Sequence, residues 1–122
     1  MVKTYGLTHL AMNVKDLRKS FHFYHSLFGV EEVYSTSDRI EFRTPGAKDV
    51  IDLLQGDSQS GTMGGLEHIG FRLIDPRDFE PVVAQVEPAG GRILEQGEFA
   101  PGCPYAYVAD PDGYVLEIWF EP

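Results

Sequence analysis

Leu7-Thr8-His9-Leu10-Ala11-Met12-Asn13-Val14 is matched later in the chain by Leu66-Glu67-His68-Ile69-Gly70-Phe71-Arg72-Leu73. Both runs alternate with the period of a strand. In the first, Thr8, Leu10, Met12 and Val14 oppose Leu7, His9, Ala11 and Asn13; in the second, Ile69, Phe71 and Leu73 oppose Leu66, His68, Gly70 and Arg72. A second echo pairs Val50-Ile51-Asp52-Leu53-Leu54 with Val115-Leu116-Glu117-Ile118-Trp119. Each half therefore opens on a strand with one His and closes on a strand with one carboxylate. Two His and two acids in register across a duplicated unit point to a metal site before they point to packing.

Between these landmarks the two halves run in the same order. Asp16 is a good N-cap, Leu17, Phe21, Tyr24 and Phe28 recur at helical spacing, and Gly29 stops the helix. Strands are expected over 30–35, 38–44 and 49–55, followed by a polar, Gly-rich linker over 56–65. In the second half a helix is expected from near Asp78, which puts Pro81 in its first turn, and Pro88-Ala89-Gly90-Gly91 ends it. Strands follow near 92–96, 104–109 and 114–120, with a Pro/Gly loop at 97–104 and a tight turn at Asp110-Pro111-Asp112-Gly113. The expected fold is α+β: one domain over 1–122, with repeat one at 5–55, repeat two at 66–122, and two βαβββ units forming a curved mixed sheet around a concave cup. The face opposite each His is the more apolar and is expected to cover the helix. His9, His68, Asp52 and Glu117 then share the cup.

Composition narrows the partners. The 122 residues hold nineteen acidic and ten basic side chains, a net charge of −9, with the basic ones scattered. Nucleic acid and anionic membranes demand a positive surface, so neither is expected as a partner. No apolar run approaches spanning length, and one cysteine, Cys103, excludes an internal disulfide and fits a reducing, cytoplasmic setting. A small molecule is the expected partner.

The chain resembles the vicinal oxygen chelate superfamily, which includes glyoxalase I, extradiol dioxygenases, fosfomycin-resistance enzymes and bleomycin-resistance proteins. The resemblance rests on Leu7-Thr8-His9, on Asp16-Leu17-Arg18-Lys19-Ser20-Phe21-His22-Phe23-Tyr24 leading to Leu27-Phe28-Gly29, and on Asp110-Pro111-Asp112-Gly113-Tyr114-Val115-Leu116-Glu117. It implies a barrel-like cup holding one divalent metal ion per site, with His9, Asp52, His68 and Glu117 as ligands. Such a cation chelates two neighbouring oxygens of a substrate and stabilises an enediolate or similar oxyanion. It also implies a homodimer.

Three functions are compatible with that resemblance. A metal-dependent lyase or isomerase of glyoxalase type, with nickel, zinc or cobalt, leads because all four ligand positions are filled; Asp52 and Glu117 are then the candidate bases. Asn13 stands where bacterial glyoxalase I has an Arg that contacts glutathione, which leaves the thiol open. The alternative is an extradiol-type dioxygenase with iron or manganese on His9, His68 and Glu117. There Tyr107, ten residues before Glu117, is the expected catalytic tyrosine, although no His lies between His25 and His68 to serve as that family's further catalytic histidine. A metal-free drug-binding protein of bleomycin-resistance type is the third, against which the four filled ligand positions speak; the fosfomycin-resistance enzymes, which use three ligands, also rank below the first two. Trp119, on the face of Glu117, is expected to line the substrate site. Arg72, near a rim of the cup, reads equally as a holder of an anionic substrate group and as a surface arginine. His22 and His25 are off the helical stripe and expected to be exposed, and Cys103, with no basic neighbour, is expected to be inert.

Overall fold

The computed structural model describes residues 1–56 and 59–122. The chain divides into two compact units, Met1–Ser60 and Gly61–Pro122. Each is a βαβββ module, so the fold is α+β with two four-stranded mixed sheets. Positions 57 and 58 of the expected linker lie outside the described residues.

The first unit runs β1 (His9–Val14), α1 (Leu17–Phe28), β2 (Glu31–Thr36), β3 (Arg39–Arg43) and β4 (Val50–Gln55). Its sheet order is β1-β4-β3-β2; β1 and β4 are parallel and the other pairs antiparallel. Asp16 caps α1 as expected, accepting from Lys19 N at 3.1 Å, and Gly29 closes it in the left-handed region at φ 64°. The buried stripe differs from the one expected. Leu17, Ser20, Phe23 and Tyr24 are buried, whereas Phe21 and Phe28 are only half-buried. The stripe is rotated because Tyr24 stacks on Phe42 of β3, with centroids 5.3 Å apart, and Phe23 packs edge-on against Tyr24. Met12, Val14, Ile40, Phe42, Ile51 and Leu53 supply the sheet side of this core, so the face opposite His9 does cover the helix.

The second unit runs β5 (Ile69–Arg72), a 3-10 turn at Pro76–Asp78, α2 (Phe79–Gln85), β6 (Arg92–Ala100), β7 (Cys103–Ala109) and β8 (Val115–Trp119). Its order, β5-β8-β7-β6, repeats that of the first, again with a parallel outer pair. Phe79 and Val82 of α2, with Val86 just beyond it, pack in the core with Ala106, Val108, Leu116 and Ile118. Two expectations are corrected. β5 begins at Ile69 rather than at 66, because Gly64-Gly65 form the centre of a turn closed by Leu66 N donating to Met63 O at 3.0 Å; His68 therefore stands just before the strand. The loop expected at 97–104 is mostly strand: β6 pairs with β7 through two bulges as far as Ala100–Cys103, and only Pro101-Gly102 turns. The expected turn at 110–113 is present, wound around Asp110, whose Oδ1 accepts from the backbone N of Asp112, Gly113 and Tyr114 at 2.9, 3.0 and 3.0 Å.

Candidate functional site

In the second unit, strand pairing places a defined set of side chains on one face. Gly70 and Tyr107 lie opposite Glu117, Arg72 and Tyr105 opposite Trp119, and Glu95 opposite Tyr107. His68, entering β5, reaches onto that face. Its Nε2 is 3.0 Å from Glu117 Oε2, and its ring meets Tyr107 edge-on with centroids 5.1 Å apart. The expected pairing of His68 with Glu117 is thus present. An imidazole and a carboxylate at this distance hydrogen-bond when Nε2 holds a proton. When it does not, the imidazole nitrogen and the carboxylate would be available as two ligands of a divalent cation, which would supply Lewis-acid chemistry. The pair fits a metal as half of a ligand set.

Tyr107 and Tyr105 complete the polar part of this face. Burial, and then the negative charges of Glu117, Glu95 and Glu67, push the Tyr107 phenol above its ordinary value. Tyr105 is raised first by its own hydrogen bond, donated to Glu95 Oε2 at 2.8 Å, and then by burial. Both hydroxyls are protonated at neutral pH and remain donors. Neither Glu95 nor Tyr105 was singled out by the sequence: both fall in expected strands, but reading 97–104 as a loop hid the pairing of those strands that brings the two side chains together.

Arg72 is occupied. Its Nη2 donates to Glu121 O at 2.9 Å, its Nη1 is 3.7 Å from Glu121 Oε1, and its guanidinium lies 5.4 Å over the Trp119 ring. It is a strut for the strand end rather than an open anion holder.

In the first unit, His9 is exposed on β1 and pairs with Val50, while Ala11 pairs with Asp52. His9 and Asp52 thus share a face, as expected. Asp52 is engaged in a way its expected role as ligand and base does not accommodate. It is 1% exposed, and Arg39 Nε donates to Oδ1 and Oδ2 at 2.9 and 3.0 Å while Nη2 closes on Oδ2. This forked pair holds the guanidinium well above its ordinary range, chiefly through the hydrogen bond to Asp52, with Glu41 at 3.6 Å adding to it. Both oxygens that a metal would need are spent on Arg39. Among the described residues, no group of three or more His, Cys, Asp or Glu side chains within either unit stands in metal-holding geometry.

The remaining candidates fall as follows. Cys103 is buried at the start of β7. His22 and His25 are exposed, and His25 Nδ1 lies 2.8 Å from Val30 O, tying the helix end to the strand that follows.

A sequence profile of the Glyoxalase/Bleomycin resistance protein/Dioxygenase superfamily matches residues 6–118. Glutathione transferase FosA of Serratia marcescens is 32% identical over 117 residues, covering 93% of this chain and 79% of that protein. A trivalent organoarsenical cleaving enzyme of Bacillus sp. (strain MD1) is 31% identical over 121 residues, covering 92% and 71%. Among solved structures, the fosfomycin resistance protein FosX of Listeria monocytogenes, complexed with Mn(II) and sulfate, superposes with a TM-score of 0.81 at 25% identity, covering 98% of this chain and 93% of that one. No helix among the described residues is long and apolar enough to cross a membrane.

Proposed function

This chain belongs to the Glyoxalase/Bleomycin resistance protein/Dioxygenase superfamily, and on that footing we propose that it is a metal-dependent lyase or isomerase acting on a small substrate with two vicinal oxygens. The observation that carries the reading is the 3.0 Å approach of His68 Nε2 to Glu117 Oε2, with Tyr107 against the imidazole. His68 and Glu117 are the proposed ligands from the second repeat and His9 the proposed ligand from the first. A divalent cation, when bound, supplies Lewis-acid polarisation of a substrate oxygen. That FosX binds Mn(II) and that the similar proteins are enzymes support this choice.

The protein's own groups divide the remaining work. Tyr107, neutral at physiological pH, donates a hydrogen bond to negative charge developing on the substrate. Glu117 is the proposed proton acceptor, since Asp52 is buried in the grip of Arg39 and is assigned a positioning role in the first sheet. The reading keeps a homodimer, and a cytoplasmic setting in which a buried Cys103 stays reduced.

Deuterium incorporation tests the reaction type. Protein reconstituted with Mn(II), Ni(II) or Zn(II) should exchange the carbon-bound hydrogens of hydroxyacetone in heavy water, and chelator-treated protein should not. Exchange at the uncatalysed rate with every metal would remove the lyase or isomerase assignment. One observation favours the dioxygenase alternative: with Asp52 taken by Arg39, the proposed donors reduce to two His and one carboxylate. Oxygen uptake by Fe(II)-loaded protein presented with catechol would shift the assignment to it.

A further inference from the structure

Beside the His68–Glu117 pair, the same sheet face bears a continuous run of rings. Tyr107 touches Tyr105 with centroids 5.4 Å apart, Tyr105 stacks with Phe99 at 6.4 Å, and Phe99 meets Trp119 at 6.1 Å. Two glycines let these rings lie against the sheet. A Cβ at Gly97 would stand 3.0 Å from the Tyr105 hydroxyl, and one at Gly70 would stand 3.3 Å from Trp119 Nε1. Phe99 is 51% exposed despite these contacts, so the wall keeps an open apolar surface.

The charges around the wall select against an anion. Two carboxylates border the wall: Glu95, which accepts from the Tyr105 hydroxyl at 2.8 Å, and Glu117, which lies opposite Tyr107 on the neighbouring strand. The nearby cation, Arg72, is directed to Glu121 and stacked on Trp119. A phosphonate or carboxylate lying on the wall would face Glu95, with Arg72 already engaged, whereas the face of an uncharged ring would meet four aromatic side chains.

We propose that the substrate pairs its vicinal oxygens with an uncharged aromatic ring, which stacks on the wall formed by Tyr105, Phe99 and Trp119 beside the His68–Glu117 pair. The proposal rests on the function proposed above for that pair and extends it from reaction type to substrate class. Gly97 is the specificity-determining position, because a side chain there displaces Tyr105. The ring provides affinity through stacking and burial, and the donors Tyr105 and Tyr107 orient its polar substituents.

The test uses three diols with the same chelating group: 1-phenylethane-1,2-diol, propane-1,2-diol and 1,2-dihydroxypropylphosphonic acid. Binding to Mn(II)-loaded protein is read by calorimetry and by the fluorescence of Trp119, the chain's one tryptophan. The phenyl diol should bind about tenfold or more tighter than either of the others, the size of effect one good aromatic contact gives. Phe99→Ala and Gly97→Ala should each remove most of that preference while Mn(II) stoichiometry stays unchanged. Equal affinity for the three diols, or tightest binding of the phosphonate, overturns the proposal and leaves the metal assignment intact. Failure of wild-type protein to take up Mn(II), with the phenyl preference still present in Trp119 fluorescence, overturns the metal assignment alone. A dimer that falls apart on Phe99→Ala with no change in diol preference assigns the wall to a second copy of the chain and overturns the proposal.

Discussion

Arg39 grips Asp52 across the β3–β4 ladder, with Nε 2.9 and 3.0 Å from the two carboxylate oxygens and Nη2 closing on one of them. The carboxylate is buried while the arginine side chain is 41% exposed. Arg39→Met strands a buried charge, a change that costs 3–5 kcal/mol when both partners are buried. Solvent screening on the arginine side holds the expected loss below that of a fully buried pair, and urea unfolding measures it. The double variant Arg39→Met/Asp52→Leu should regain most of it, because an apolar pair of similar size leaves no unpaired charge.

The same pair makes a second prediction, about metal. Asp52→Asn should leave Mn(II) stoichiometry and affinity close to those of the parent, since the carboxylate is committed to Arg39. A loss of metal equal to that of a Glu117 variant would return Asp52 to the ligand set.

Much of this architecture was legible in the chain. The doubled His-strand and acid-strand pattern marked the two βαβββ units, and the strand parity put His68 on the face of Glu117, where the two meet. The Asp52–Arg39 fork was not legible, because it depends on a hairpin register that sets Glu41 opposite Asp52 and lets Arg39 reach back along the sheet. The aromatic wall was hidden for a different reason. Gly97 and the Pro101-Gly102 pair read as loop signals, yet Gly97 sits within a strand because Tyr105 occupies the space its side chain would need. In α1, period alone did not separate Phe21 from Phe23; the stacking of Tyr24 on Phe42 decided which was buried.

Tyr105 and Tyr107 should titrate above the ordinary phenol value of about 10. Because the folded-state value is raised, the stability these phenols contribute is complete below the unfolded value and is lost as pH rises through the folded one. Ultraviolet tyrosinate absorbance should show the late component, and Tyr105→Phe and Tyr107→Phe should each diminish it. Glu95→Gln should shift the Tyr105 part downward, since it removes the charged acceptor.

Asp110 anchors the turn before β8. It is 3% exposed, and one oxygen accepts three backbone N–H groups. Asp110→Ala should cost about 1–3 kcal/mol, because it takes the carboxylate acceptor from the buried Tyr114 N–H, and thermal unfolding reads the loss directly. Since β8 bears Glu117, the variant should also weaken metal binding.

The proposed role of His68 and Glu117 as ligands of a divalent cation is tested most directly by a Mn(II) titration of wild-type, His68→Ala and Glu117→Ala proteins by calorimetry. Saturable binding near one ion per site is expected in the wild type and loss of tight binding in both variants, with the fold retained by circular dichroism. Full-affinity binding by either variant, or no uptake by the wild type, would contradict it.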